Sequence, residues 1–407
     1  GGTLNLDTFD ETFTVLDWTA DSYLDFGSGG NTLTITDDDD TGVVGTLFIN
    51  NWVSGSDTFA TGGLDGDAAA TSFLDNIKFN GFGAGAELSG TDIVPSSAAS
   101  TFYIWDDAAQ DAWQSGTDNW DRDDDLDLTP ELQNTNPTWN DATYENIKFS
   151  AVGAGNVELD LDVSINTLIF DPTVTGSFTI QDNADDTIGH TINFSGDLPS
   201  IHQNDDNAHT IQNLDANDTV SIVLADNLII MGIGTGKLTI SSIISGASKS
   251  VTHNGSFELE LGGVNTYTGD TILNGGTLTL SGSVAGGLVV NSGTVQTGAT
   301  GSATTFTMVA GSISANTRTA DGTLSFTGGA SSSWTAGTYV WSVSGGMAQH
   351  ASNIAYGTVK EATGVAGSDW DYMSFTGSLD FAGASANSIT IEIDSNGTYT
   401  GYEWEKQ

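Results

Sequence analysis

Cysteine is absent from the 407 residues. That excludes disulfides, thiolate nucleophiles, iron–sulfur clusters and cysteine-built zinc sites. Cations are almost as scarce: eight Lys and Arg stand against 53 Asp and Glu, a formal charge of −45. Nucleic acid and anionic bilayers are gripped by cations, so neither is an expected partner. So acidic a chain repels itself, and salt or divalent cations relieve the repulsion. A saline setting, bound calcium or both suit it. No run is long and apolar enough to span a bilayer, so no membrane insertion is expected. No stretch of ten or more residues carries a helical period, and only 68–76 offers a turn or two of helix. Prolines number five, which beside abundant Gly, Thr, Ser, Asn and Asp suits an all-β chain with frequent turns.

What is present is the grammar of strands and turns. Glycine occurs 51 times, and apolar residues make up 38% of the chain, gathered in short clusters bounded by Gly, Asn or Asp rather than dispersed as in disordered chains. The clusters fall at 32–36, 45–49, 147–149, 166–170, 177–180, 191–194 and 219–224. They continue at 237–240, 257–261, 277–280, 287–290, 323–326, 338–343 and 388–393. Residues 264–282 are the clearest stretch: two strands, Thr271–Leu273 and Thr277–Leu280, are punctuated by Gly269-Asp270 and Asn274-Gly275-Gly276. Gly and Asn accept the positive φ such turns need.

A tripeptide of Gly, then Thr, Ser or Lys, then an apolar residue starts at Gly236, Gly255, Gly276, Gly293 and Gly311, with spacings of 19, 21, 17 and 18. A period near twenty is what one rung of a solenoid consumes, two or three strands with their corners. Rungs stack about 4.8 Å apart and their inward residues form ladders. The fold class expected is all-β: an elongated β-solenoid or β-helix over 99–407, clearest at 236–327 and closing at 337–407, behind a smaller β-rich module at 1–98.

The wording of 264–282 resembles the autotransporter-associated β-strand repeat of bacterial surface and secreted proteins. Gly45-Thr46-Leu47-Phe48-Ile49-Asn50-Asn51-Trp52 through Ile93-Val94-Pro95 resembles a module near the C-terminus of exosortase-sorted, PEP-CTERM-type proteins. There the Pro leads into a sorting tail; here it leads through Ser96-Ser97-Ala98-Ala99-Ser100 into a second region. Tyr103-Ile104-Trp105-Asp106, Asp118-Asn119-Trp120 and Thr138-Trp139 are similar to the opening of such solenoids, and 337–341 with 362–371 to their closing part. The resemblance implies a right-handed solenoid and an extracellular or cell-surface protein. The start at Gly1-Gly2-Thr3 fits a form from which a signal peptide has been removed.

Sites that carry chemistry are few. Asp37, Asp38, Asp39 and Asp40, and the cluster of Asp121, Asp123, Asp124, Asp125 and Asp127, are candidate calcium ligands, because calcium takes six to eight oxygens and dense carboxylates supply several. Neither matches the EF-hand or the β-roll nonapeptide, so solvated acidic turns are the plain alternative. Residues 182–186 and Asp205-Asp206 are weaker copies. His190 and His209, 19 residues apart, are placed to stack on one face. Trp105, Trp113, Trp120 and Trp139 either cap a solenoid end or stack on sugars. A β-helix polysaccharide lyase would pair carboxylates with a proton-taking Lys or Arg; Lys237 and Lys249 have no evident acidic partners at rung spacing. No enzyme is expected.

Exposed strand edges at a solenoid's ends are templates for another chain. The function expected is thus a secreted structural protein, a homopolymer assembling as filament, sheath or matrix through β-strand edges, with 3–6, 388–393 and 398–404 as candidate donors. The alternative is a monomeric adhesin or polysaccharide-binding passenger, with extracellular polysaccharide as partner.

Overall fold

The computed structural model describes residues 3–6, 9–18, 22–27, 30–36, 47–53, 55–61, 73–74, 76–79, 86–95, 102–105, 111–113, 120–123, 145–150, 155–182, 188–196, 199–214, 219–298, 300–314, 323–343, 372–376, 378–381, 384 and 388–395. The protein is all-β and builds a β-solenoid; Phe73 and Leu74 are helical, within the one stretch where a turn of helix is expected. Two compact units are distinguished, Gly1–Phe178 with Ile192–Asn207 and Ile229–Thr235, and Thr179–Thr191 with Ala208–Leu228 and Gly236–Gln407.

In the first unit, residues 3–95 wind between two sheets. One takes Thr3–Asn5, Ser22–Asp25, Leu47–Asn50 and Ile77–Phe79, all parallel. The other takes Glu11–Phe13, Thr32–Ile35 and Thr58–Thr61, also parallel. A hairpin, Ala86–Ser89 with Asp92–Pro95, then closes the second sheet by running antiparallel to Thr58–Thr61. Leu4, Leu24, Ile49 and Phe79 occupy one register position in successive strands. Aromatic rings fill the space between the sheets: Phe26 and Phe79 each meet Trp52 edge-on at 5.0 Å, and Trp18 lies 5.2 Å from Phe73. The described residues of 3–95, which the sequence sets apart from the repeats, are coiled on the same principle.

Further along this unit, Phe102–Trp105 lies between antiparallel Trp120–Asp123 and parallel Glu145–Phe149. The parallel order then runs through Val163–Phe170, Ser200–Gln203 and Leu228–Met231. Trp120, Trp105, Phe149 and Phe170 share one register position and are fully buried.

In the second unit, from Gly236 on, the described strands stack in three parallel columns, and a full coil lays down one strand in each. The first column holds Leu238–Ile240, Glu258–Leu261, Thr277–Leu280, Thr294–Thr297, Ser312–Ser314, Gly337–Val343 and Ile389–Ser395. A second holds Val264–Asn265, Ser283–Val284, Thr300–Ala303, Thr323–Phe326 and Tyr372–Phe375. The third holds Val251–His253, Thr271–Leu273, Leu288–Val290, Phe306–Met308, Ser332–Trp334 and Leu379–Asp380. Leu238, Leu259, Leu278, Val295 and Ile313 form one inward ladder, every member fully buried. Each such side chain contributes about 1.5–3 kcal/mol on burial.

That register corrects one sequence spacing. Leu238 pairs with Leu259 and Leu259 with Leu278, so Gly255-Ser256-Phe257 is not a counterpart of the other tripeptides. Phe257-Glu258-Leu259, two residues on, takes that place. At the other corners the glycines do stack: Gly276, Gly293 and Gly311 have φ of +61°, +85° and +92°, and a Cβ on Gly293 would stand 2.6 Å from the Gly276 carbonyl oxygen. A turn at positive φ with backbone pressed on backbone admits only glycine.

Candidate functional site

Among the described residues, the sheets end on strands that pair with another strand along one edge only. A β-strand bonds in both directions, and the coil's next turn normally uses the second edge. Among the described residues, Thr3–Asn5 and Glu11–Phe13 stand first in their sheets with a neighbour on one side only. Tyr372–Phe375, Leu379–Asp380 and Ile389–Ser395 stand last in the three columns in the same way. Ile389–Ser395 is the longest of these, pairing over seven residues with Gly337–Val343. Sequence alternation of Ile389, Ile391 and Ile393 with Thr390, Glu392 and Asp394 gives it strong β-propensity without Pro or Lys. Two further sheet ends are closed by antiparallel strands, the hairpin ending at Pro95 after Thr58–Thr61 and Trp120–Asp123 before Phe102–Trp105, whereas Ile77–Phe79, Asp111–Ala112 and Val264–Asn265 end their sheets, among the described residues, on a parallel neighbour.

The outward faces carry polar ladders. Lys237 Nζ lies 2.7 Å from both Glu258 Oε1 and Glu260 Oε2. Thr279 Oγ1 donates to Glu258 at 2.8 Å, Ser281 Oγ to Glu260 at 2.5 Å, and Gln296 Nε2 to Thr279 at 2.9 Å. Partial burial opposes the Lys237 charge, but hydrogen bonds to the two glutamates and their charges outweigh it and hold the ammonium above its ordinary range. Burial likewise favours neutral Glu260, yet the bonds from Lys237 and Ser281 and the Lys237 charge keep its carboxyl below the usual value. At the corner after the third column, Asn291 donates to Asn274 and Asn274 to Asn254, each at 2.8 Å. This asparagine ladder went unnoticed in the sequence, although its signal is there: an Asn directly follows each of three strands one coil apart.

Lys237 and Lys249 therefore do have acidic partners, contrary to the sequence expectation; Lys249 Nζ meets Asp226 Oδ1 at 3.2 Å. The lysines reach one coil up or down, a distance along the chain that hides the pairing. A Lys so held keeps its proton and is a poor base for abstracting one from a sugar ring.

The acidic candidates divide. Asp37, Asp38, Asp39, Asp40, Asp124, Asp125 and Asp127 lie outside the described residues, as do 183–187. Asp121 and Asp123 fall in the strand Trp120–Asp123, paired with Ile104 and Phe102. Asp205 accepts from Gln203 Nε2 at 2.8 Å and Asn207 N at 2.9 Å, and Asp206 from Thr235 N and Oγ1 at 3.2 and 2.6 Å. Asp205 is spent on its own turn and Asp206 on Thr235, 29 residues on. Among the described residues no three His, Asp or Glu side chains converge as a metal set.

His190 and His209 do not stack. His190 opens His190–Phe194 and bonds Asp182 at 2.6 Å, whereas His209–Ile211 pairs with Leu238–Ile240 in another sheet. Spacing in sequence equals stacking only when both residues occupy the same column. His202 is buried beside Ser200 Oγ at 3.0 Å, and burial lowers its pKa to about 4. Trp105, Trp113 and Trp120 are fully buried, with Trp113 and Trp105 at 4.9 and 5.0 Å from Trp120, whose Nε1 donates to the Trp113 carbonyl. They close a core and offer no face to a sugar; Trp139 lies outside the described residues.

No helix among the described residues is long and apolar enough to cross a membrane. Comparison with family models, with curated proteins and with solved structures finds no match to this chain.

Proposed function

We propose that this protein is a secreted bacterial structural protein, the subunit of an extracellular filament, sheath or matrix that assembles non-covalently from copies of itself through β-strand edges. The observation that carries the reading is that, among the described residues, several sheets end on strands paired with another strand along one edge only, Ile389–Ser395 the longest of them. Natural β-proteins blunt exposed edges unless they use them. The resemblance to autotransporter-associated repeats and PEP-CTERM-type proteins supports a surface location. With no cysteine, the joints are hydrogen-bonded, and with a charge of −45 they strengthen as salt or calcium screens the subunits. The rival reading, a monomeric adhesin or polysaccharide-binding passenger, needs an exposed aromatic platform, and Trp105, Trp113 and Trp120 do not provide one.

Electron microscopy of native cell-surface material, kept in high salt, tests the proposal. Regular filaments with a subunit repeat fitting one chain are expected. Dispersed single particles that bind a glycan array would replace it with the adhesin reading.

A further inference from the structure

Asparagine is followed by glycine at two consecutive corners of the solenoid, Asn254-Gly255 and Asn274-Gly275. Each directly follows a strand of the third column, Val251–His253 and Thr271–Leu273, and Asn291-Ser292 follows the next one, Leu288–Val290. The three asparagine side chains form the amide ladder, so one corner position occurs three times, one coil apart. An Asn-Gly step carries chemistry of its own. The backbone nitrogen after an asparagine is placed to attack the side-chain carbonyl carbon, and glycine has no Cβ to hinder it.

The fold treats the three steps differently. Among the described residues nothing accepts a hydrogen bond from Gly275 N, whereas Ser292 N is spent on the Leu273 carbonyl at 3.3 Å. Room separates the two glycines. Gly255 is buried against the Phe257 ring, and a Cβ on it would stand 2.2 Å from Phe257 Cε1. That ring is itself fixed: it lies edge-on to His253 at 4.8 Å, and the Phe257 carbonyl meets His253 Nε2 at 3.1 Å. Gly275 is half-buried, and a Cβ on it would have the Gly255 carbonyl oxygen as nearest neighbour, at 3.4 Å. Asn274 is exposed. Polarisation does not separate them. Asn254 Oδ1 accepts from Asn274 and Asn274 Oδ1 from Asn291, each at 2.8 Å, so both carbonyls hold a donor where negative charge develops during attack.

We propose that Asn274-Gly275 is a site of self-modification, converting through a succinimide to aspartate and isoaspartate ahead of the other two steps. The Gly275 nitrogen bonds to Asn274 Cγ and gives up its proton; the Cγ–Nδ2 bond breaks, and ammonia carries that proton away. Water then opens the ring. Attack at Cγ leaves an aspartate with the backbone as before. Attack at the Asn274 backbone carbonyl leaves an isoaspartate, with the chain running through the side chain. No oxidant or reductant takes part, and no second copy is needed, so the reaction is independent of the filament reading. Either product carries a carboxylate where an amide stood, and a carboxylate has no hydrogen to donate, so the bond to Asn254 is lost. The isoaspartate also lengthens the backbone beside Gly276, which sits at φ +61° and where even a Cβ would stand 2.5 Å from the Phe257 carbonyl oxygen. The conversion thus loosens a stacked corner and adds negative charge to a chain already at −45.

The test ages the full chain in warm, mildly alkaline buffer and maps its peptides by mass spectrometry, with a protein isoaspartyl methyltransferase marking isoaspartate. In the folded chain Asn274 is expected to convert at least about tenfold faster than Asn254, a barrier difference of about 1.4 kcal/mol, with Asn291 slowest. In guanidinium chloride Asn254 and Asn274 are expected to convert at similar rates, because unfolding removes the packing that separates them. Gly275→Ala, at a position with room for a methyl group, is expected to slow conversion at Asn274 while near-ultraviolet circular dichroism shows the fold unchanged. Equal rates at Asn254 and Asn274 in the folded chain would overturn selection by corner packing. Conversion at Asn274 in guanidinium chloride but none in the folded chain would mean that the ladder protects this step, and would overturn the proposal outright.

Discussion

The coils of residues 3–95 and those from Gly236 onward face the same task with different side chains. In the first region the core is aromatic, with Trp18, Phe26, Trp52, Phe59, Phe73 and Phe79 buried between two sheets. In the later region one ladder is wholly aliphatic, through Leu238, Leu259, Leu278 and Val295, and rings such as Phe306, Phe326 and Trp334 are buried further along. A coil deep in a long stack has a neighbour above and below, so modest side chains repeat with the rung. A short stack has few rungs, and rings that bury about 150–250 Å² each supply a core from few positions. The corners differ in the same sense. Gly55 has φ of +75° with open space where a Cβ would sit, whereas Gly293 presses on the coil before it. Sequence regularity is enforced where backbone lies on backbone and relaxed where it does not.

Substitution at those two glycines breaks the comparison most sharply. Gly293→Ala is expected to cost roughly 3–4 kcal/mol, the strain of a left-handed residue plus a collision with rigid backbone. Gly55→Ala is expected to cost about 1–2 kcal/mol, the strain alone. Equilibrium denaturation of both variants measures the gap, and equal losses would show that corner stacking is not what constrains Gly293.

Acid separates the regions by sign. Within Ser200–Gln203, His202 titrates near 4 rather than 6.5 because burial disfavours its charge. Its neutral form therefore stabilises the fold fully above pH 6.5, and that contribution, on the order of 3 kcal/mol, is lost as pH falls from 6.5 towards 4. Asp57, in the early coils, behaves oppositely. Burial raises its pKa above 3.8, against backbone hydrogen bonds from Val53, Asn31 and Gly30 that lower it. Its ionised form carries a penalty that acid relieves as pH falls through that raised value towards 3.8. Hydrogen exchange at stepped pH is expected to show protection falling around Ser200–Gln203 below pH 6.5, with His202→Gln removing that slope. Protection around Asn31 and Val53 should not follow it down.

The surface ladders are expected to matter less. Asn274→Ala breaks two rungs of an exposed amide ladder and should cost about 1 kcal/mol, measured by thermal unfolding. Lys237→Met leaves Glu258 and Glu260 facing each other half-exposed and should cost no more than about 1 kcal/mol, shrinking in 1 M salt. A loss unchanged by salt would mean that the lysine stem, not its charge, is what packs there.

Much of the strand pattern was legible because it is local. Thr271–Leu273, Thr277–Leu280 and Thr323–Phe326 fall where alternation and flanking Gly or Asn place them. Most of the second column was not legible. Val264–Asn265 and Ser283–Val284 are two residues long, too short for any period, and they exist because the neighbouring coil offers an edge. Of the candidate site, the tendency to expose edges was readable, but which edges are closed was not. The antiparallel turn of Trp120 back onto Trp105 is a long-range choice made by the aromatic core.

By itself the sequence determined the all-β class, the solenoid period and the exclusion of thiol chemistry, because composition and short-range alternation act within a few residues. Only the tertiary structure decided register, which set Phe257 rather than Gly255 against Gly276, put His190 and His209 in different sheets, and joined Lys237 to Glu258 and Glu260. Those outcomes depend on which residues lie about 4.8 Å apart across coils. Coil lengths here vary, so distance along the chain does not report it.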